Sequence, residues 1–291
     1  MNTSTTSLST VLAIATLIAT GAAIPPAYAQ ANPETCAPIK AAYPDLAGQS
    51  LVVGISPAPA NYSATDPNDP SNIIGIEPDL LQSAADCLGF TFTYSKLDFA
   101  GLIPALQSGR IDLVAAGMYA SDERAKQVNF VQYMLAGEAS LVRTGNPKGL
   151  TDMAKVCDVT AAQIVGTVEN EILDTQSKAC VAAGQGPITP LQFPSTDRAF
   201  SALGQGRADI LLTDAGVATY LADTAPDQVE VGFAIASDFV FGLGVSKDNP
   251  KLMEALQASF KAQYDDGSLQ AAMGDWGFSE AQLFEPSIKT Q

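Results

Sequence analysis

The sequence predicts an α/β protein made of two similar lobes that face each other across a cleft. One segment is written twice, Ala105-Leu106-Gln107-Ser108-Gly109-Arg110-Ile111-Asp112-Leu113 and Ala202-Leu203-Gly204-Gln205-Gly206-Arg207-Ala208-Asp209-Ile210. Each copy ends a helix on glycine and restarts as an apolar strand, so each marks one α/β unit. The two strands run out at Gly117 and Asp214, equivalent positions of the repeat. Ligands of open α/β sheets sit beyond the carboxyl ends of strands, and two such ends facing each other make a cleft. A third observation is a pair of crossings. One lies at Arg143-Thr144-Gly145-Asn146-Pro147 and the other near residues 232–237. They divide the chain into residues 30–144, a second lobe of residues 145–235, and residues 236–291 returning to the first lobe.

In chain order, residues 11–24 form an apolar run too short to span a bilayer, followed by the small-x-small sequence Ala27-Tyr28-Ala29. This pattern predicts an export signal over residues 1–29, cleaved after Ala29. It departs from the usual signal in having no Lys or Arg before the apolar run. All 31 acidic and 15 basic residues lie beyond it, so the formal charge of −16 belongs to the mature chain. Such a balance argues against nucleic acid and anionic membrane surfaces as partners. The chain has no histidine, which excludes imidazole catalysis, Ser-His-Asp and Cys-His nucleophiles, and histidine metal sites. No cofactor and no metal are expected. Four cysteines in an exported chain imply two disulfides with three possible connectivities. Their separations favour Cys36 with Cys87 and Cys157 with Cys180, each pair inside one lobe.

Residues 51–55 read as a short buried strand, and residues 56–72, rich in Pro, Asn, Ser and Asp, as an exposed irregular loop. Pro78-Asp79 opens a helix with Leu80, Leu81, Ala84, Ala85 and Leu88 at helical spacing, stopped by Gly89. Residues 90–94 alternate as a strand. A helix over residues 101–108 feeds a strand over 111–115. Ser121-Asp122-Glu123 caps a further helix that carries Arg124 and Lys126. Beyond the second lobe, residues 241–245 form a strand and Pro250 opens a helix running to Tyr264. Asp265-Asp266-Gly267 then precedes a last helix with Trp276.

The order of motifs carries a resemblance. Gly75-Ile76-Glu77-Pro78-Asp79-Leu80, Asp98-Phe99-Ala100-Gly101-Leu102, Ala116-Gly117-Met118, Asp122-Glu123-Arg124-Ala125-Lys126 and Asn129-Phe130 resemble the periplasmic solute-binding proteins of polar amino acid ABC transporters. The likeness extends over roughly residues 50–278. It implies a type II periplasmic binding protein fold, with two α/β lobes joined by two hinge strands and the ligand trapped between them. It further implies a non-catalytic, monomeric periplasmic protein that delivers a small zwitterionic amino acid to a membrane ABC permease.

The resemblance assigns ligand contacts position by position. Arg124 matches the arginine that clamps the ligand carboxylate, a role suited to a planar bidentate fork; the alternative is a helix-surface arginine. Asp214 matches the carboxylate that receives the ligand ammonium, although a helix N-cap belongs at the same place. Gly117 matches a position whose carbonyl faces the ammonium, or is a simple strand-end turn. Thr167 and Val168 lie in the loop Gly166-Thr167-Val168-Glu169, whose amides at a helix N-terminus suit an anion; Thr167 is otherwise an ordinary cap. Phe99 stands where an aromatic stacks on the ligand, or packs in the core beside Leu102 and Ile103.

Departures from the family pattern bear on specificity. Members that bind basic amino acids carry an acid where this chain has Ser56 and an aromatic wall where it has Pro59, which argues against lysine, arginine or histidine. Tyr119 replaces a Thr or Ser and either narrows the cleft or presents a different hydroxyl, while Tyr62 remains as an aromatic wall. A modified amino acid or opine-like conjugate is therefore as compatible as a standard neutral one. Two other readings stay open on the same fold: a cyclohexadienyl dehydratase-like enzyme using Glu169 as acid or base, and a sensory module that signals to a membrane receptor.

Overall fold

The structure is a computed structural model that describes residues 32–57 and 61–291; the expected cleavage after Ala29 and the departure at Pro59 lie outside the described residues. The first lobe opens with helix α1 (Pro33–Ala42), strand β1 (Ser50–Ile55) and a short hairpin of β2 (Ala64–Thr65) and β3 (Ile73–Ile74). Helix α2 (Ile76–Leu88), strand β4 (Thr91–Lys96), helix α3 (Leu102–Gln107), strand β5 (Leu113–Val114), helix α4 (Asp122–Ala125) and strand β6 (Asn129–Leu135) follow. The chain then crosses into β7 (Glu138–Arg143), β8 (Thr160–Ile164), α5 (Glu169–Ala182), β9 (Thr189–Phe193), α6 (Thr196–Gly204), β10 (Ile210–Asp214), α7 (Ala215–Thr224) and β11 (Val229–Ile235). It returns through β12 (Val240–Val245), α8 (Pro250–Asp265), α9 (Ser268–Asp275) and β13 (Leu283–Lys289).

Two sheets result, in strand order β13-β6-β12-β5-β1-β4 and β11-β7-β10-β8-β9. The run β12-β5-β1-β4 in the first matches β7-β10-β8-β9 in the second. In both, the repeat strand pairs in parallel with β1 or β8 and antiparallel with a strand that has just crossed between lobes, β12 or β7. The repeated residues perform the same work twice. Gly109 (φ 69°) and Gly206 (φ 72°) end their helices in the left-handed region, which costs glycine nothing. Asp112 accepts from the Val52 amide at 2.7 Å and Asp209 from the Thr160 amide at 2.9 Å, so each aspartate fastens the repeat strand to β1 or β8.

The crossings correct the expected lobe boundary. Strand β7 pairs with β10 and β11 in the second sheet, so the chain leaves the first lobe at Ala136-Gly137 and not near Gly145-Asn146-Pro147. The return is at residues 236–239, where the Ala136 amide donates to the Phe239 carbonyl at 2.8 Å and ties the two crossings side by side. The strand expected over 111–115 contracts to Leu113–Val114, with the Asp112 and Ala115 amides still donating to the Val52 and Gly54 carbonyls of β1 on either side. Helix α2 begins two residues ahead of Pro78, which therefore sits in its first turn, where a missing amide costs no hydrogen bond.

Leu80, Leu81 and Leu88 are fully buried beneath the first sheet, each worth roughly 1.5–3 kcal/mol relative to exposure. The disulfides are Cys36–Cys87, tying α1 to α2, and Cys157–Cys180, tying the approach to β8 onto α5. No described helix is long and apolar enough to cross a membrane.

Candidate functional site

The exits of β1, β5 and β10 and the start of α5 converge on a small cavity between the lobes, partly open to solvent. Tyr62, Phe99, Gly117, Tyr119, Arg124, Thr167, Val168 and Asp214 all border it, as does Ser56. Tyr62 and Asp214, 152 residues apart in the sequence, thus meet in one place.

Arg124 is held by its helix cap, the Ser121 hydroxyl accepting from the Arg124 amide at 3.3 Å. Its side chain is 8% exposed. Nη1 donates to the Tyr119 carbonyl at 2.9 Å and Nη2 to the Gly166 carbonyl of the opposite lobe at 3.1 Å. The guanidinium lies over the Phe99 ring, 5.3 Å from its centroid, a favourable cation–π arrangement. Phe99 thus supports Arg124 as well as bordering the cavity. Among the described residues no carboxylate forms an ion pair with this guanidinium. Its hydrogen bonds go to carbonyls and the charge that most favours its cationic form is the Glu169 carboxylate, so the guanidinium keeps donor capacity for an anion.

Across the cavity, Asp214 ends β10. Its Oδ1 accepts from the Gly216 and Val217 amides at 2.7 and 3.3 Å and from the Tyr62 hydroxyl at 2.7 Å; Oδ2 accepts from the Tyr119 hydroxyl at 3.4 Å. Asp214 is therefore a helix cap and a cavity carboxylate at once. Burial pushes its pKa up to about 6 against the pull of these donors. Tyr119 is buried, stacks on Phe239 and directs its hydroxyl to Asp214, so it resolves as a hydrogen-bond donor. Tyr62 packs on Phe241 and Phe278 and bridges the lobes through the same carboxylate.

The anion loop follows β8. Gly166 has φ 87°, and a Cβ there would lie 3.1 Å from that of Ala100, so the loop needs glycine to approach the first lobe. The Thr167 hydroxyl donates to the Ile164 carbonyl at 3.2 Å and stabilises the turn into α5, whose first amides lack intrahelical acceptors.

Glu77, unassigned by the sequence reading, is the structural post of the first lobe. It is completely buried and accepts from the Ser63 hydroxyl at 2.9 Å, the Tyr133 hydroxyl at 3.0 Å and the Gly117 amide at 3.0 and 3.1 Å. It thereby joins the first loop, the exit of β5 and strand β6. Burial raises its pKa to about 7, with those donors opposing the shift. The available signal was an acid between Ile76 and Pro78 at the start of α2, where a second acid, Asp79, also stands. Glu138 was also missed; it interrupts an apolar stretch immediately after Gly137 and is 1% exposed.

Two α/β lobes joined by paired crossings, with a buried guanidinium facing a buried carboxylate across one cavity, define a bilobed binding protein for small charged solutes. The chain belongs to the bacterial extracellular solute-binding proteins, family 3, whose model matches residues 51–280. It is similar to the arginine-binding protein ArgT of Corynebacterium glutamicum, 30% identical over 92% of this chain and 88% of that protein. It is also similar to the ABC transporter glutamine-binding protein GlnH of Bacillus subtilis, 28% identical over 78% of this chain and 80% of the relative. Among solved structures, an ancestral arginine-binding protein bound to arginine matches with a TM-score of 0.70 and 29% identity, covering 78% of this chain and 98% of that one. The ancestral amino acid-binding protein AncCDT-1, a precursor of cyclohexadienyl dehydratase, matches with a TM-score of 0.69 and 28% identity, over 78% and 95% of the two chains.

Proposed function

We propose that this protein captures a small amino acid, or a derivative such as an opine-like conjugate, by its zwitterionic head and delivers it to a membrane ABC permease. The observation that carries this reading is the opposition of Arg124 and Asp214, one from each lobe, across a single cavity. Arg124 and the amides following Thr167 and Val168 hold the carboxylate; Asp214 and the Gly117 carbonyl hold the ammonium; Tyr62, Phe99 and Tyr119 wall the site. The names of the relatives, arginine-binding and glutamine-binding among them, support an amino acid as solute. The chain acts as a monomer in the periplasm after cleavage at Ala29, and binds without transforming its ligand.

Calorimetry of the mature protein against amino acids tests this. Arg124→Ala and Asp214→Ala are each expected to cost roughly 2–5 kcal/mol of binding, the usual effect of removing one partner of a buried charged contact, while both variants remain folded, Asp214→Ala melting lower by its lost helix cap. Unaltered affinity in either variant would remove that residue from the site. A bound amino acid recovered chemically unchanged supports carriage; one that is consumed would favour the dehydratase-like reading and direct mutagenesis to Glu169.

A further inference from the structure

Tyr119 stands on the part of Asp214 that a solute must reach. Oδ1 of Asp214 is filled by the Gly216 and Val217 amides and the Tyr62 hydroxyl, at 2.7, 3.3 and 2.7 Å. Oδ2 accepts from the Tyr119 hydroxyl at 3.4 Å. The oxygen left for an incoming ammonium is therefore Oδ2. A charged donor makes the stronger bond to a carboxylate, so it displaces a neutral hydroxyl held at that length.

The displaced hydroxyl needs a second acceptor, because Tyr119 is 5% exposed and a buried hydroxyl left unpaired is costly. The residue itself is fixed. Its ring stacks on Phe239 with centroids 5.1 Å apart, its backbone bridges to Phe241, and its carbonyl accepts from Arg124. The hydroxyl proton is what can turn. Glu138 is placed to receive it. This residue faces Asp214 directly in the antiparallel β7–β10 pair, so the two carboxyl groups stand on the same face of the second sheet. Glu138 does not border the cavity, is 1% exposed, and among the described residues neither of its oxygens has a hydrogen-bond partner. The neighbouring Tyr119 hydroxyl favours its charged form, but burial pushes Glu138 up to about 9. Near neutral pH it is an uncharged carboxyl, and such a group still accepts through its carbonyl oxygen.

Building on the amino acid reading above, we propose that Tyr119 is a two-position latch, whose hydroxyl donates to Asp214 in the empty cleft and turns to Glu138 when the solute's ammonium takes Asp214 Oδ2. Both acceptors belong to the second lobe and Tyr119 to the first, so an interlobe hydrogen bond survives the exchange. Glu138 is a positioning residue: it acts on the solute through Tyr119 without touching it. The exchange also gives a use for tyrosine where the family pattern has Thr or Ser, since the ring carries its hydroxyl across to the second lobe.

The test is a cycle of variants at positions 119 and 138, read by calorimetry on the mature protein with L-arginine and L-glutamine as probes. Glu138→Leu offers no acceptor and is expected to weaken binding about fivefold to thirtyfold, the cost of stranding a buried hydroxyl. Glu138→Gln, which keeps a carbonyl oxygen, should bind within about twofold of the wild type. In a Tyr119→Phe background, Glu138→Leu should change affinity by less than about twofold, because no hydroxyl remains to be stranded. Damage to the fold at Glu138 would not be relieved in this way. Saturating ligand should also give the wild type a tyrosine ultraviolet difference spectrum that is diminished in Tyr119→Phe, whatever the behaviour of the Glu138 variants. Undiminished affinity in Glu138→Leu, an equal loss in Glu138→Gln or in the Tyr119→Phe background, or the same difference spectrum with and without the Tyr119 hydroxyl would overturn the exchange and leave the amino acid reading intact. Failure of both probes and of the other standard amino acids to bind would overturn both.

Discussion

At the residue scale the cleft is governed by carboxylates kept from water. Glu77 titrates in the folded chain near 7, above the ordinary 4.5, because burial outweighs its three donors. A carboxyl with a raised folded pKa binds its proton more tightly when folded. Its stabilising contribution is thus complete below about 4.5 and is lost as the pH rises through about 7. The difference corresponds to roughly 3 kcal/mol. Asp214 at about 6 and Glu138 at about 9 act in the same direction. The ligand-free protein should therefore melt at a lower temperature at pH 8 than at pH 5, and Glu77→Gln should flatten that dependence. Parallel melting curves for wild type and variant across this range would show that Glu77 stays charged throughout. Glu77 was hidden in the sequence because an acid in the first turn of a helix ordinarily faces solvent and favours the dipole. Its burial follows from the tyrosine and serine brought to it by β6 and the first loop.

At the element scale the repeat explains itself through hydrogen bonds. Asp112 and Asp209 satisfy amides of β1 and β8, so replacing either with alanine leaves a partly buried donor unpaired. Each variant is expected to lose about 1–3 kcal/mol of stability, measurable by denaturant unfolding with an unchanged slope. A loss for Asp112→Ala without a comparable loss for Asp209→Ala would mean that the two copies are not mechanically equivalent. The repeat, the helix of α2, the Pro250 start of α8 and both disulfides were legible because their signals are local or depend on simple spacing. Strand β13 was not: Pro286 interrupts it, and proline is tolerated only because β13 lies at the edge of its sheet. Strand β7 was not read either, and its place in the second sheet depends on pairing with β10 and β11, which lie far along the chain.

At the scale of the whole molecule, three hydrogen bonds join the lobes at the cavity: the Tyr62 and Tyr119 hydroxyls to Asp214 and the Arg124 guanidinium to the Gly166 carbonyl. The paired crossings at Ala136-Gly137 and residues 236–239 form the other boundary of the cleft. Rotation about two adjacent crossings is a known form of hinge closure. Small-angle scattering should register a more compact particle when the protein is saturated with ligand, and Tyr62→Phe, which loses one interlobe bond, should expand the ligand-free particle. Identical profiles with and without saturating ligand would exclude closure as the means of capture.

The sequence by itself determined the α/β class and the duplicated unit, and it favoured one pairing of the four cysteines, the pairing the structure shows. These depend on periodicity, on chain punctuation and on motifs whose residues are close together along the chain. The tertiary structure alone decided where the chain changes lobes, which strands close the sheets, and that Glu77, Glu138 and Glu169 are buried. Those outcomes depend on which surfaces pack against one another. The cost of burying a charge is set by neighbours distant in sequence, and only the assembled fold brings them to the same place.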